Sequence, residues 1–199
     1  MFFSSDPVGL PGLAAMAVGF MVFMTALFAA RMRARRDTAD QGGKRDNRSV
    51  FGIVLQGFAI GIVAFGPIRT ILDPLSPRAL ATALVVLLIM LAVAGLFHWS
   101  SVTMGRNWAL VARTRGDASL VTNGPFAYVR NPIYVALGLF MIAIAIAYGH
   151  SRMLIIALPL YALATWMRVA LEEKVLRAAF GEEYDAYAKR VKRFLPGLI

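Results

Sequence analysis

Cysteine is absent from this chain of 199 residues. Its absence excludes disulfides, thiolate metal ligands and cysteine nucleophiles. Histidine occurs twice and acidic side chains 11 times, against 21 lysines and arginines, so the formal net charge is +10. Side chains that could act as metal ligands are therefore scarce, and we predict no metal site.

Long apolar runs dominate what is present. Hydrophobic residues make up 59% of the chain, well above the share in an ordinary soluble domain. A helix needs about 20 residues to cross a bilayer, and the runs that approach this length are 8–30, 50–66, 79–97, 132–148 and 153–167. We therefore predict an all-α integral membrane protein with five transmembrane helices, folded as one domain over 1–199. The short turn between the last two runs predicts a helical hairpin.

Basic residues are distributed unevenly among the segments between these runs. Segments 31–49, 98–131 and 168–199 carry seven, four and seven Lys or Arg, and only three lie elsewhere. The positive-inside rule then predicts an outside N-terminus and a cytoplasmic C-terminus with an amphipathic tail. No Lys or Arg precedes the first run, which favours a start-transfer helix over a signal peptide. The basic residues lack interleaved aromatics, so we predict no nucleic-acid partner.

The stretch GPFAYVRNPIYVALGLF, at 124–140, sets an Arg, an Asn and a Pro against the fourth run. Asn is a favoured N-cap and Pro a favoured first helical residue, so a helix is predicted to begin at Pro132. The motif has two interpretations. It can be a capped helix whose Arg130 reaches the headgroups, or an anion site made by a helix N-terminus beside an arginine.

A second polar cluster follows the fifth run. Arg168 and Glu172 are four residues apart and share a helical face near the membrane boundary. A snorkelling arginine explains this pair as well as a functional site does. The predicted hairpin, however, brings Arg130 and Asn131 beside Arg168, Glu172 and Glu173. We therefore predict one polar site, made by both clusters on the cytoplasmic side.

Two segments in the C-terminal half of the chain resemble a known protein family. The segments LVTNGPFAYVRNPIYVA and EEKVLRAAFGEEYDAYAKRVKRFLP, in this order and spacing, resemble the isoprenylcysteine carboxyl methyltransferase and phospholipid methyltransferase superfamily. The likeness extends over about 105–196. It implies a catalytic, cofactor-binding part at 98–199, after a three-helix part at 1–97, and S-adenosylmethionine (SAM) as the cofactor.

The resemblance also implies residue roles. Arg168 is expected to face the substrate's reacting group, and Glu172 to take part in catalysis and in cofactor binding. The other expected cofactor-binding residues are Ala118, Ser119, Leu120, Val121, Phe126, Arg130, Asn131, Pro132, Ile133, Tyr134 and Glu173. The superfamily usually has His where this chain has Asn131, and an amide cannot titrate. Proton transfer at that position is therefore not expected, whereas cofactor binding is.

The function predicted from these observations is transfer of a methyl group from SAM to a lipophilic, membrane-embedded acceptor. A carboxylate acceptor is already ionised at pH 7, whereas an ammonium group must first lose a proton, and the sequence leaves both open. Two alternatives are an NADPH-dependent membrane reductase of the sterol-reductase kind and a non-catalytic scaffold or transporter. The compact, alanine-rich chain favours a bacterial inner membrane with the site facing the cytoplasm.

Overall fold

The computed structural model describes residues 5–36, 47–105 and 119–197, and its regular elements are helices. They are α1 (Leu10–Arg36), α2 (Asn47–Ala64), α3 (Pro77–Met104), α4 (Pro132–Tyr148) and α5 (Leu154–Arg190). Short 3₁₀ helices, Gly124–Ala127 and Ser151–Met153, precede α4 and α5. The predicted all-α architecture is therefore confirmed, and the five helices of the described residues correspond one to one with the apolar runs.

Three of the helices are long and apolar enough to cross a membrane: α1, α3 and α5. The apolar part of α2, Phe51–Ala64, and helix α4 are shorter. Large apolar side chains lie exposed along the helices, among them Phe58, Leu84 and Ile155. A surface of this kind suits hydrocarbon better than water, and the chain is an integral membrane protein.

Helix ends follow local sequence signals. Ser76 precedes Pro77 and its hydroxyl oxygen accepts from the Ala79 amide at 3.3 Å, which caps α3. Helix α4 begins at Pro132 as predicted and ends at Tyr148. Gly149 follows with a φ of 75°, a conformation that glycine adopts without strain. The turn to α5 is short, as the sequence predicts.

The helices pack in an order that differs from a simple hairpin. Helix α1 lies along α3, α3 along α4, and α2 along α5, so α4 and α5 contact each other over a shorter stretch. Tyr161 of α5 lies between them, and its hydroxyl donates to the Tyr134 carbonyl at 2.7 Å. A Cβ placed on Gly138 of α4 would lie 3.3 Å from the same ring. The two helices are therefore joined through a large side chain at a glycine.

The end of α5 returns to the start of α4. Gly181, with φ of 51°, interrupts the helical geometry and bends the chain. Beyond Arg190 the chain runs beside the residues before α4, and the carbonyls of Lys192 and Arg193 accept from the amides of Arg130 and Asn131 at 2.8 and 3.1 Å. The C-terminal tail is thus tied by its backbone to the region that the sequence predicts to be functional.

Candidate active site

A carboxylate, a phenol and a guanidinium meet near the start of α4. Tyr134, in the first turn of α4, donates its hydroxyl hydrogen to Glu172 Oε1 over 2.5 Å. Nε of Arg168, one turn before Glu172 on α5, lies 3.4 Å from the same oxygen. The guanidinium carbon of Arg168 also lies 5.2 Å from the centre of the Tyr134 ring, within cation–π distance. We call these three side chains the Glu172 cluster.

Access to the Glu172 cluster is uneven. Arg168 and Tyr134 are buried, whereas the Glu172 side chain keeps 24% of its surface exposed. Both of the contacts just described fall on Oε1 of the carboxylate. Glu172 is therefore the member of the cluster that a ligand can reach most directly.

Helix α2 adds a residue that sequence reasoning missed. Gln56 is buried, and its Oε1 accepts from Arg168 Nη1 at 3.2 Å. Its Nε2 donates to Thr165 Oγ1 of α5 at 2.8 Å. A Cβ on Gly52, one turn earlier, would lie 3.2 Å from Arg168 Cγ. The signal for Gln56 was present in the sequence, because it is the one polar side chain in the apolar run Phe51–Ala64.

Glu173, the next residue of α5, turns toward the tail. Its carboxylate accepts from Arg130 Nη2 at 2.8 Å, and from Nε and Nη2 of Arg193 at 2.9 and 2.7 Å. Arg130 also donates through Nη1 to the carbonyls of Ala188 and Val191, at 2.7 and 2.8 Å. We call Glu173, Arg130 and Arg193 the tail clasp. The predicted approach of Arg130 to Glu173 is confirmed by these contacts, whereas Glu172 pairs with Arg168 in the other cluster.

Charge and an aromatic ring both hold Arg193 in the tail clasp. The hydrogen bonds to the Glu173 carboxylate raise the pKa of the Arg193 guanidinium above its ordinary value. The guanidinium carbon also lies 4.3 Å from the centre of the Trp166 ring. Arg193 therefore stays charged over the whole accessible pH range, and it links the tail to α5 at two points.

Asn131 holds the tail instead of capping α4 with its side chain. It occupies the N-cap position, but its side chain makes no capping hydrogen bond. Its Nδ2 donates instead to the Arg193 carbonyl at 3.2 Å, while its own carbonyl accepts from the Tyr134 amide. The capping role predicted for this side chain is therefore wrong, because the returning tail presents a carbonyl that the side-chain amide reaches.

The remaining predicted cofactor-binding residues lie at the start of α4 or in the segment that precedes it. Pro132 is buried at the start of α4, and Ile133 packs against the main apolar core. Leu120 packs against Tyr184, Tyr187 and Val191, and the Phe126 carbonyl accepts from the Tyr187 hydroxyl at 2.7 Å. The structure also has Ser119 exposed and Val121 half-buried. Ala118 lies outside the described residues.

Comparison with known proteins decides the family. The sequence profile of the phospholipid methyltransferase family matches residues 77–183, which include α3, α4 and the Glu172 cluster. The chain belongs to this family. The superfamily that the motifs suggested is thereby confirmed.

Curated relatives of this family member fall into two kinds. It is 33% identical over 92 residues to a protein-S-isoprenylcysteine O-methyltransferase of Schizosaccharomyces pombe, covering 44% of this chain and 37% of that protein. A protein of the same name from Tribolium castaneum is 37% identical over 86 residues, which are 40% of this chain and 28% of that protein. The cobalt-zinc-cadmium resistance protein CzcN of Cupriavidus metallidurans is 30% identical over 110 residues, 55% of this chain and 50% of that protein. The chain thus spans about a quarter to a half of the length of these relatives.

Proposed function

We propose that this chain is a SAM-dependent methyltransferase that acts on a lipophilic acceptor within the membrane. The observation that carries the proposal is the Glu172 cluster, which lies inside the region matched by the phospholipid methyltransferase family. Methyl transfer from a sulfonium asks chiefly that donor and acceptor be aligned and that water be kept away. A largely buried cluster at the junction of two helices suits that task.

The side chains present fit the polar groups of SAM. That cofactor carries a sulfonium, an ammonium, ribose hydroxyls and a carboxylate, and when bound it supplies an electrophilic methyl group. Glu172 offers an anionic oxygen that is partly open, and Arg168 a cation beside it. We propose that Glu172 holds the cofactor and that Tyr134 fixes the direction of the carboxylate through its hydrogen bond. Asn131, Pro132 and Ile133 would bound the cofactor at the start of α4.

Arg168 is the residue that we propose to orient the acceptor. A guanidinium stays charged and offers parallel donors to a carboxylate or a phosphate oxygen. Its place one turn nearer the apolar part of α5 than Glu172 suits an acceptor that arrives from the lipid side. Two relatives are named protein-S-isoprenylcysteine O-methyltransferase. The matched family is named phospholipid methyltransferase. We therefore propose an isoprenoid carboxylate or a phospholipid amine as the acceptor.

The tail clasp has an indirect role in this proposal. Both oxygens of Glu173 are engaged by arginines, so we propose that it shapes the site by holding the tail against the start of α4. The distribution of basic residues supports a site that faces the cytoplasm of a bacterial inner membrane, where SAM is available.

The test is methyl transfer by the purified full chain in detergent or nanodiscs. Methyl-labelled SAM is offered with S-farnesylcysteine in one arm and with vesicles of an amine-headgroup phospholipid in the other. We expect labelled product in one of the two arms. A parallel titration with NADPH separates this function from a reductase. NADPH binding without SAM binding, or no transfer in either arm, would contradict the proposal.

A further inference from the structure

Gln56, in the N-terminal part of the chain, contacts the Glu172 cluster and lies outside the region matched by the family. It sits in the middle of the apolar run of α2 with only 4% of its surface exposed. A primary amide in such a place is costly unless its donors and acceptors are paired. The hydrogen-bond partners of Gln56 therefore indicate the role of this side chain.

The partners of Gln56 both lie on α5, on successive turns. Nε2 donates to Thr165 Oγ1 at 2.8 Å, which fixes the direction of the amide plane. With the amide fixed in this way, Oε1 points at Arg168 and accepts from Nη1 at 3.2 Å. Thr165 is itself buried, at 4% exposure. The Gln56 amide is therefore held in one orientation, in which its oxygen accepts from the Arg168 guanidinium.

The choice of an amide over a carboxylate has an electrostatic consequence. An amide oxygen can accept a hydrogen bond from arginine without neutralising its charge. Glu172 already lies 3.4 Å from Nε of Arg168, so a second carboxylate would leave the three side chains with a net negative charge. Gln56 holds one edge of the guanidinium and leaves the charge of the pair unchanged.

Helix α2 also limits the stem of Arg168. A Cβ on Gly52 would lie 3.2 Å from Cγ and 3.4 Å from both Cβ and Cδ of that side chain. On the opposite side the Tyr134 ring lies 5.2 Å from the guanidinium carbon. The arginine is therefore bounded by α2 along its stem, by α4 over its plane, and by Gln56 at its edge.

We infer that Gln56 is a positioning residue of the methyltransferase, which orients the charged Arg168 toward the acceptor. This inference rests on the proposed function. Removing the amide frees the guanidinium to turn, so the aligned fraction of bound acceptor falls. A hydrogen bond to a charged group of this kind corresponds to roughly a 10- to 100-fold effect. The loss is expected in kcat, because the Glu172 carboxylate that holds the cofactor stays in place.

The test compares Gln56→Leu with Thr165→Val. Leucine removes the contact with Arg168 and suits an apolar helix, whereas valine keeps the glutamine beside Arg168 and removes the hydrogen bond that fixes its amide plane. Purified variants are assayed with labelled SAM and the acceptor that wild type uses, and SAM affinity and thermal unfolding are measured alongside. We expect kcat to fall about 10- to 100-fold in Gln56→Leu. Thr165→Val should cost less, about two- to tenfold, because the amide oxygen stays beside Arg168 although its direction is no longer fixed. SAM affinity should stay within about threefold in both variants.

Other outcomes overturn the inference. If both variants lose kcat and thermal stability to the same degree, Gln56 only joins two helices. If Gln56→Leu keeps wild-type kcat, the amide does not position Arg168, and the proposed function stands without it. If wild type transfers no methyl group in any arm, the proposed function and this inference fall together. Gln56→Glu is the second variant should the leucine protein not fold. The negative charge that it adds beside Arg168 is expected to lower kcat equally, and wild-type turnover would contradict the inference.

Discussion

Glu173→Gln is the substitution that probes the tail clasp most sharply. The Glu173 side chain is 4% exposed and takes one hydrogen bond from Arg130 and two from Arg193. Glutamine keeps the shape of the side chain and one acceptor oxygen, but it removes the negative charge. Two guanidinium groups then lose their anionic partner. The backbone hydrogen bonds between the tail and the residues before α4 remain to hold the tail in place.

The expected loss follows from burial. Breaking a buried ion pair by changing one partner costs about 3–5 kcal/mol. Arg130 is 10% exposed, so the full range applies to it, whereas Arg193 is 25% exposed and water can replace part of its pairing. Because glutamine still accepts one hydrogen bond, we expect the free energy of unfolding to fall by about 2–4 kcal/mol.

The measurement is reversible unfolding of the purified protein in mixed micelles, followed by circular dichroism. Glu183→Gln is the matched control, because it removes the same charge from an exposed position on the same helix. It should change the free energy of unfolding by about 0.5 kcal/mol or less. Equal stabilities for the two variants would refute the reasoning that the clasp holds the tail.

Three further predictions concern the Glu172 cluster and topology. Arg168→Lys should lower kcat at least about tenfold with SAM affinity nearly unchanged, because a point charge cannot reproduce the planar fork; full turnover would indicate a snorkelling role. Tyr134→Phe should weaken SAM binding about three- to tenfold by calorimetry, since Glu172 loses a hydrogen bond, and wild-type affinity would contradict this. Single cysteines in this cysteine-free chain should be labelled only from outside at Ser151 and only from the cytoplasm at Leu195, and a reversed pattern would reject the proposed orientation.

Much of the fold could be predicted because hydrophobic length is a strong signal. Each apolar run became a helix, and the start of α4 at Pro132 followed from the local chemistry of proline. The pairing of helices could not be predicted in the same way, because apolar side chains on all faces carry no preferred partner. Helix α5 packs mainly on α2, although the short turn suggested α4.

The charged residues of the candidate site could be predicted from the sequence, but their partners in the tail and on α2 could not. Arg168, Glu172 and Arg130 stand at the ends of apolar runs, where a charged side chain is conspicuous in the sequence. The partners of Asn131 and Arg130 in the tail depend on the bend at Gly181, where φ is 51°. A glycine within a helical pattern tolerates such a bend but does not specify its direction. The contact of Gln56 with Arg168 depends in turn on the packing of α2 against α5.

Equilibrium binding of SAM to wild type and to Glu172→Gln tests the central claim most directly. Glutamine keeps the size of the side chain and removes the charge that we propose to hold the cofactor. We predict SAM binding by wild type and an affinity about 10- to 100-fold lower in the variant, with unchanged circular dichroism. Equal affinities in the two proteins, or no SAM binding by a folded wild type, would contradict the account.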